Sequence, residues 1–170
     1  MKDMSKTLAE PQKALRTLES EKENTSETPP RVFCFVCSGN TCRSPMAEAA
    51  ANILFRERGI TAVSAGLCVP APAPISPKAV LALKTRGYLP DEAHDYRRHV
   101  ARQLDAGIMA SVERVYGMTP THSAAILSAF PEFASKLFPL GVTVPDPYGG
   151  DLDTYLAALD TIVSALEKLE

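Results

Sequence analysis

No run of apolar residues in this 170-residue chain approaches the roughly 20 needed to cross a bilayer. Acids and bases occupy the first positions, where a secretory signal would carry an apolar segment. Both absences lead to the expectation of a cytoplasmic protein with no membrane partner. A basic excess is also missing, since 18 Lys and Arg stand against 20 Asp and Glu for a formal net charge of -2. Binding to nucleic acid by counterion release needs a concentrated positive surface, so that partner is set aside. There is no internal repeat, and the length suits one folded domain better than two. Cysteine is scarce, and Cys34, Cys37, Cys42 and Cys68 all fall in the first half of the chain. A domain of this size does not need disulfide staples, so thiol or metal chemistry in a reducing compartment is the better reading.

Residues 1–30 are rich in Lys, Glu, Ser and Thr, end in Pro29-Pro30, and are expected to form a flexible polar extension. Paired prolines stop a helix and favour extended backbone, which makes residues 31–170 the folded domain. Arg31 to Val36 is a β-branched and aromatic run that predicts a buried strand. A helix follows, with Ser44 as its expected cap and Pro45 at its first position. Met46, Ala49, Ala50, Ile53 and Leu54 form its apolar face, and Gly59 its stop.

The alternation continues with a strand near Thr61 to Ser64 and a helix near Pro77 to Arg86. A weaker helix is expected near Tyr96 to Asp105, then a strand near Val112 to Met118 and a helix capped by Thr119 or Thr121. A short strand near Lys136 to Leu140 precedes the loop Val144 to Gly150 and a final helix on the apolar face of Leu152, Tyr155, Leu156, Leu159, Ile162, Val163 and Leu166. Strands alternating with helices imply an α/β fold: a doubly wound, four-stranded parallel sheet with helices on both faces and a ligand crevice at the carboxyl ends of the strands.

Cys37-Ser38-Gly39-Asn40-Thr41-Cys42-Arg43 lies in that crevice, between the first strand and the first helix. Its backbone N–H groups can converge on one anion, Gly39 is expected to supply the positive φ, and the helix terminus adds a favourable field. The same field favours thiolate over thiol at Cys37, which makes it a candidate nucleophile. Arg43 can present two parallel N–H donors to a phosphoryl group, a geometry that Lys lacks. Cys34 and Cys37 could instead be a redox pair, or Cys34, Cys37 and Cys42 the start of a zinc site. Cys34 sits inside an apolar strand, however, and the second pair of metal ligands is missing. No metal or other cofactor is therefore expected. Cys42 could condense with an oxidised Cys37 or be merely structural.

The stretch Val36 to Glu48, VCSGNTCRSPMAE, resembles the signature of the low-molecular-weight protein phosphatases. Val63-Ser64-Ala65-Gly66 and the late Asp146-Pro147 match the family too, so the resemblance spans roughly residues 31–170. It implies a flavodoxin-like fold and a hydrolase acting on phosphorylated protein. In that scheme Cys37 is the nucleophile, Arg43 the phosphate clamp and Asp146 the general acid and base. The backbone from Ser38 to Cys42, with Gly39 between, cradles the phosphate; Asn40 holds the loop in shape, and Ser44 is a hydroxyl donor to the thiolate. Read without the loop, Asp146 would be an ordinary Asp-Pro turn.

Thr41 stands where tyrosine-specific members carry an aliphatic residue, and Asp146-Pro147-Tyr148-Gly149-Gly150 resembles the Asp-Pro-Phe-Gly-Gly of protein-arginine phosphatases. Both features point to phosphoarginine, with Thr41, Asp146 and Tyr148 meeting the guanidinium; phosphotyrosine is the alternative. Thiol-dependent arsenate reductases share the loop but need further cysteines, and none follows Cys68. A non-catalytic anion-binding module would not need nucleophile, clamp and acid together. His122 lies in a stretch, Met118 to His122, that resembles one in arginine-phosphatase relatives; it could support the site from outside, but a surface helix position is expected for it. A monomer is the expected state.

Overall fold

Arg31–Cys37 forms β1 because alternate residues of its apolar run can be buried on both faces of a sheet. Phe33, Phe35 and Cys37 join one core cluster, and Cys34 and Val36 join another on the opposite face. This computed structural model describes residues 30–169, so the expectation for the N-terminal extension lies outside the described residues. The remaining strands are β2 (Ile60–Gly66), β3 (Arg114–Gly117) and β4 (Leu137–Phe138). All pair in parallel, in the order β2-β1-β3-β4. That is the expected four-stranded α/β arrangement, with β1 beside the point where the order reverses.

The helices are α1 (Arg43–Leu54), α2 (Pro77–Thr85), α3 (Ala106–Ser111), α4 (Pro120–Ala129) and α5 (Leu152–Leu166). Helices α1, α2 and α5 cover the face holding Phe33, Phe35 and Tyr116, where Met46, Leu83, Leu159, Ile162 and Leu166 are buried. Met109 of α3 and Ile126 of α4 close the other face over Cys34, Val36 and Val115. Tyr116 stacks on Phe35 with ring centroids 5.5 Å apart. Each fully buried side chain of this size contributes roughly 1.5–3 kcal/mol, so these rings anchor the strands that carry the site. Among the described residues no helix is long and apolar enough to cross a membrane.

Three local expectations need correction. Helix α1 begins at Arg43 with Cys42 at the cap position and no side-chain cap, because the Ser44 hydroxyl faces Cys37 and Asn40 instead. The weaker helix at Tyr96 to Asp105 is absent. Tyr96–Arg98 makes one 3-10 turn, and the chain then bridges to the last residue of β2, with Gly66 N–H donating to Arg102 O at 2.9 Å and Leu104 N–H to Gly66 O at 2.7 Å. Asp105, expected at the end of a helix, is the N-cap of α3 and accepts from Ile108 N–H at 2.8 Å.

Gly66 is held at close quarters with the site. A Cβ there would lie 2.6 Å from Val69 Cγ2, 2.8 Å from Ser38 O and 3.1 Å from Asn40 Cβ. The neighbours include backbone, which cannot rotate away. Gly66→Ala is expected to lower stability by about 1–3 kcal/mol, the usual scale for overpacking. Chemical denaturation would read this as a lower midpoint with an unchanged slope.

Candidate active site

Strand β1 delivers Cys37 to the carboxyl edge of the sheet, and the chain turns through Ser38–Cys42 before α1 begins at Arg43. The turn is fixed from outside. The carbonyls of Cys37, Ser38 and Thr41 accept from the backbone N–H groups of Leu67, Cys68 and Ser76 at 2.9, 2.9 and 2.8 Å. Asn40 O accepts from His99 Nε2–H at 2.8 Å. In a trans peptide the C=O and the next N–H point opposite ways. With four carbonyls turned outward, the N–H groups of Ser38, Gly39, Thr41 and Cys42 turn toward the concave side. That is the donor cradle an anion needs.

Asn40, not Gly39, supplies the left-handed residue, with φ of 55°. Asn tolerates this region because its short polar side chain can bond locally, and here the side chain is fully engaged. Asn40 Nδ2 donates to Ser44 Oγ and to Ser64 Oγ, both at 2.9 Å, while Oδ1 accepts from Arg102 N–H at 3.0 Å. Gly39 has ordinary φ, and the nearest atom to a Cβ placed there is Thr41 Oγ1 at 3.9 Å.

Cys37 Sγ is buried at the floor of the cradle, 3.0 Å from Ser44 Oγ and 3.3 Å from Asn40 N–H. Ser44 accepts from Asn40, so its one hydrogen is left for Cys37 Sγ or for Ala65 O at 3.3 Å. Cys34 points to the other face, which separates it from Cys37 and leaves no basis for the redox or zinc alternatives that join them. Burial pushes the Cys34 thiol up to about 12. Cys42 is buried with Sγ 3.3 Å from Tyr155 Oη, which also accepts from Ser76 Oγ at 3.2 Å.

Arg43 is nearly enclosed, and its Nη2 donates to Asp146 Oδ2 at 2.9 Å. The carboxylate reaches over from the loop after β4, which Val144 N–H anchors to Met118 O at 2.9 Å. Asp146 Oδ1 accepts from Tyr148 N–H at 3.2 Å, and the turn closes with Gly150 N–H donating to Pro147 O at 2.9 Å. Gly149 has φ of 78° there, a value only Gly takes without cost. The Tyr148 ring is 80% exposed, a flat surface at the rim of the site.

Behind the loop lie Glu48, which sequence reasoning did not single out, and His122, which it placed on a surface helix with support of the site from outside as the alternative. Glu48 accepts from Ser64 Oγ, and its Oε2 lies 4.0 Å from His99 Nδ1. Burial raises the Glu48 pKa, opposed by the Ser64 bond and by the charges of His99, Arg102 and His94. His122 is the larger surprise. Expected at the surface, it is buried, with Nε2 3.0 Å from Ser38 Oγ and Nδ1 2.8 Å from Thr119 Oγ1. The signal in the sequence was Thr119, which caps α4 and so fixes the helical position of the ring three residues on.

The site thus brings together Cys37, the Ser38–Cys42 cradle, Arg43, Ser44 and Asp146, with Tyr148 at the rim. A buried sulfur at an amide-lined loop, with a carboxylate paired to the adjoining guanidinium, is an arrangement that can support transfer of a tetrahedral oxyanion. Comparison with known proteins finds phosphatases. The family model described as low molecular weight phosphotyrosine protein phosphatase matches residues 32–170. The protein-arginine-phosphatase of Bacillus subtilis is 35% identical over 144 residues, 79% of this chain and 91% of that protein. A low molecular weight protein tyrosine phosphatase from T. tengcongensis superposes with a TM-score of 0.73 at 33% identity, covering 81% of this chain and 96% of that one. A cysteine-to-serine mutant of YwlE arginine phosphatase with a phosphorylated active site serine superposes with a TM-score of 0.70 at 32% identity, covering 79% and 90%.

Proposed function

The chain belongs to the low molecular weight phosphotyrosine protein phosphatase family, and from that premise we propose that it hydrolyses protein phosphoarginine through a phosphocysteine at Cys37. The observation that supports the mechanism is that four loop carbonyls are taken up by Leu67, Cys68, Ser76 and His99, which leaves the intervening amides free to face an anion above the sulfur. Substrate phosphoryl binds there and takes the Arg43 guanidinium from Asp146. Cys37 Sγ forms a bond to phosphorus as the bond from phosphorus to the leaving group breaks. Asp146 in its protonated form gives its proton to the departing atom. In the second half-reaction the Asp146 carboxylate takes a proton from water, whose oxygen bonds to phosphorus and releases phosphate and the Cys37 sulfur. The serine phosphorylated in the YwlE mutant supports a covalent route at this position. Ser44, with Asn40 holding it, keeps a hydroxyl hydrogen available to the sulfur.

Thr41 and the Asp146-Pro147-Tyr148-Gly149-Gly150 turn support phosphoarginine as the substrate. A loop hydroxyl and an exposed aromatic face each suit a planar cation, and a carboxyl oxygen of Asp146 can accept from its N–H groups. The similarity to a protein named protein-arginine-phosphatase supports the same reading. Phosphotyrosine is the second reading, favoured by the similarity to the T. tengcongensis tyrosine phosphatase. The activity suits a reducing, cytoplasmic compartment, where the thiol stays available.

Initial rates on phosphoarginine and phosphotyrosine peptides decide between the two. Wild type is expected to prefer phosphoarginine. Thr41→Ile should shift the ratio toward phosphotyrosine by roughly 10- to 100-fold, because loss of a polar contact in a site built for one is costly and the new aliphatic surface suits an aryl ring. A wild type that prefers phosphotyrosine, with a ratio insensitive to the substitution, would remove the arginine assignment.

A further inference from the structure

His122 takes no part in the steps above, yet it joins the anion loop to the cap of α4. Thr119 Oγ1 accepts the backbone N–H of His122 at 3.2 Å and lies 2.8 Å from its Nδ1. A threonine hydroxyl has one hydrogen, which it can direct to Nδ1 while a lone pair receives the amide. The ring hydrogen then sits on Nε2 and is donated to Ser38 Oγ, 3.0 Å away. That bond leaves the hydrogen of Ser38 available to a third atom. The charges that act on the ring are Arg43, from the start of α1, and Asp146, from the loop after β4. Burial first and the Arg43 charge second lower the His122 pKa, with Asp146 opposing, which favours the neutral ring with one N–H to place.

We propose that His122 is a positioning residue that, held by the Thr119 hydroxyl, orients Ser38 as an additional hydroxyl donor to the phosphoryl group in the loop. This rests on the phosphatase reading above and adds one donor to it. The hydrogen bonds run in one direction, from Thr119 to Nδ1, from Nε2 to Ser38 and from Ser38 to a phosphoryl oxygen, and each polarises the next. The reverse order would have Ser38 give its hydrogen to Nε2 and turn lone pairs toward a negative oxygen. A bound anion therefore selects the Nε2-protonated ring.

The test uses the full chain and inorganic phosphate, with binding read by titration calorimetry and turnover by kcat/KM. Ser38→Ala and His122→Leu are each expected to weaken phosphate binding roughly 10-fold, the scale of one hydrogen bond to a charged group. The double variant should lose no more than either single one, since the two residues act as one unit. His122→Gln, whose amide nitrogen can reach Ser38, should stay within about three-fold of wild type. Nitrogen chemical shifts of His122 in the phosphate-saturated wild type should report hydrogen on Nε2, a readout that holds even if His122→Leu does not fold. Unchanged phosphate binding in Ser38→Ala, losses that add in the double variant, or a ring protonated at Nδ1 would each overturn the proposal. Because phosphate binding is measured without turnover, an inactive wild type that binds phosphate through this relay would count against the hydrolysis reading alone.

Discussion

Cys37→Ser should lower kcat by at least about 10⁴-fold and leave the fold intact, since loss of a nucleophile removes the covalent step while binding and charge stabilisation remain. The replaced atom is small, and its neighbours, Ser44 Oγ at 3.0 Å and Asn40 N–H at 3.3 Å, can bond an oxygen as readily as a sulfur. Given substrate, this variant should slowly collect one phosphoryl group on the new hydroxyl, because a serine alkoxide is a far poorer leaving group than a thiolate. Intact mass spectrometry would read the gain of a single HPO₃ unit. Cys34 is the internal control. With its thiol pushed up to about 12 by burial, it stays protonated near neutrality, so Cys34→Ala should leave phosphoryl transfer and alkylation of Cys37 unchanged. A Cys37→Ser protein that turned over at the wild-type rate would end the covalent mechanism.

The same cysteine marks how much of the molecule could be read from its sequence. Local signals carried β1 and α5: a β-branched and aromatic run in one, a helical stripe from Leu152 to Leu166 in the other. The loop between Cys37 and Arg43 was legible as well, because its position between strand and helix follows from sequence order alone. What failed depended on contacts remote in sequence. Asn40 takes the left-handed conformation because Ser44, Ser64 and Arg102 satisfy its side chain, and two of those partners lie more than twenty residues away. The stretch after Tyr96 has residues that tolerate a helix, yet its backbone pairs with Gly66 and with Ala73 O, so tertiary hydrogen bonds override local propensity. His122 was expected on a surface helix because the Thr119 cap fixes its place in the helix but not the approach of Ser38, 3.0 Å away.

Arg43→Lys separates the charge of the clamp from its shape, and kcat/KM should fall by roughly 10³-fold, within the range found when an arginine that stabilises a phosphoryl transition state is lost. Net charge is unchanged, and a lysine ammonium can still approach Asp146, so the fold should keep its denaturation midpoint. The difference lies in the planar fork. Arg43 is 7% exposed and points one nitrogen, Nη2, at Asp146 Oδ2 across 2.9 Å. When phosphoryl enters and replaces Asp146, the guanidinium can offer two parallel N–H groups to two oxygens, with little further movement because the side chain is already enclosed. An ammonium is a point donor on a flexible stem and can follow only one oxygen at a time. As the bond to the leaving group breaks, charge spreads over all three equatorial oxygens, and the second donor matters most there. The loss should therefore fall mainly on kcat, with KM changed by less than about ten-fold. Steady-state rates on one phosphorylated peptide would show the split. An Arg43→Lys protein with wild-type kcat and only a raised KM would mean that the guanidinium binds substrate without shaping the transition state.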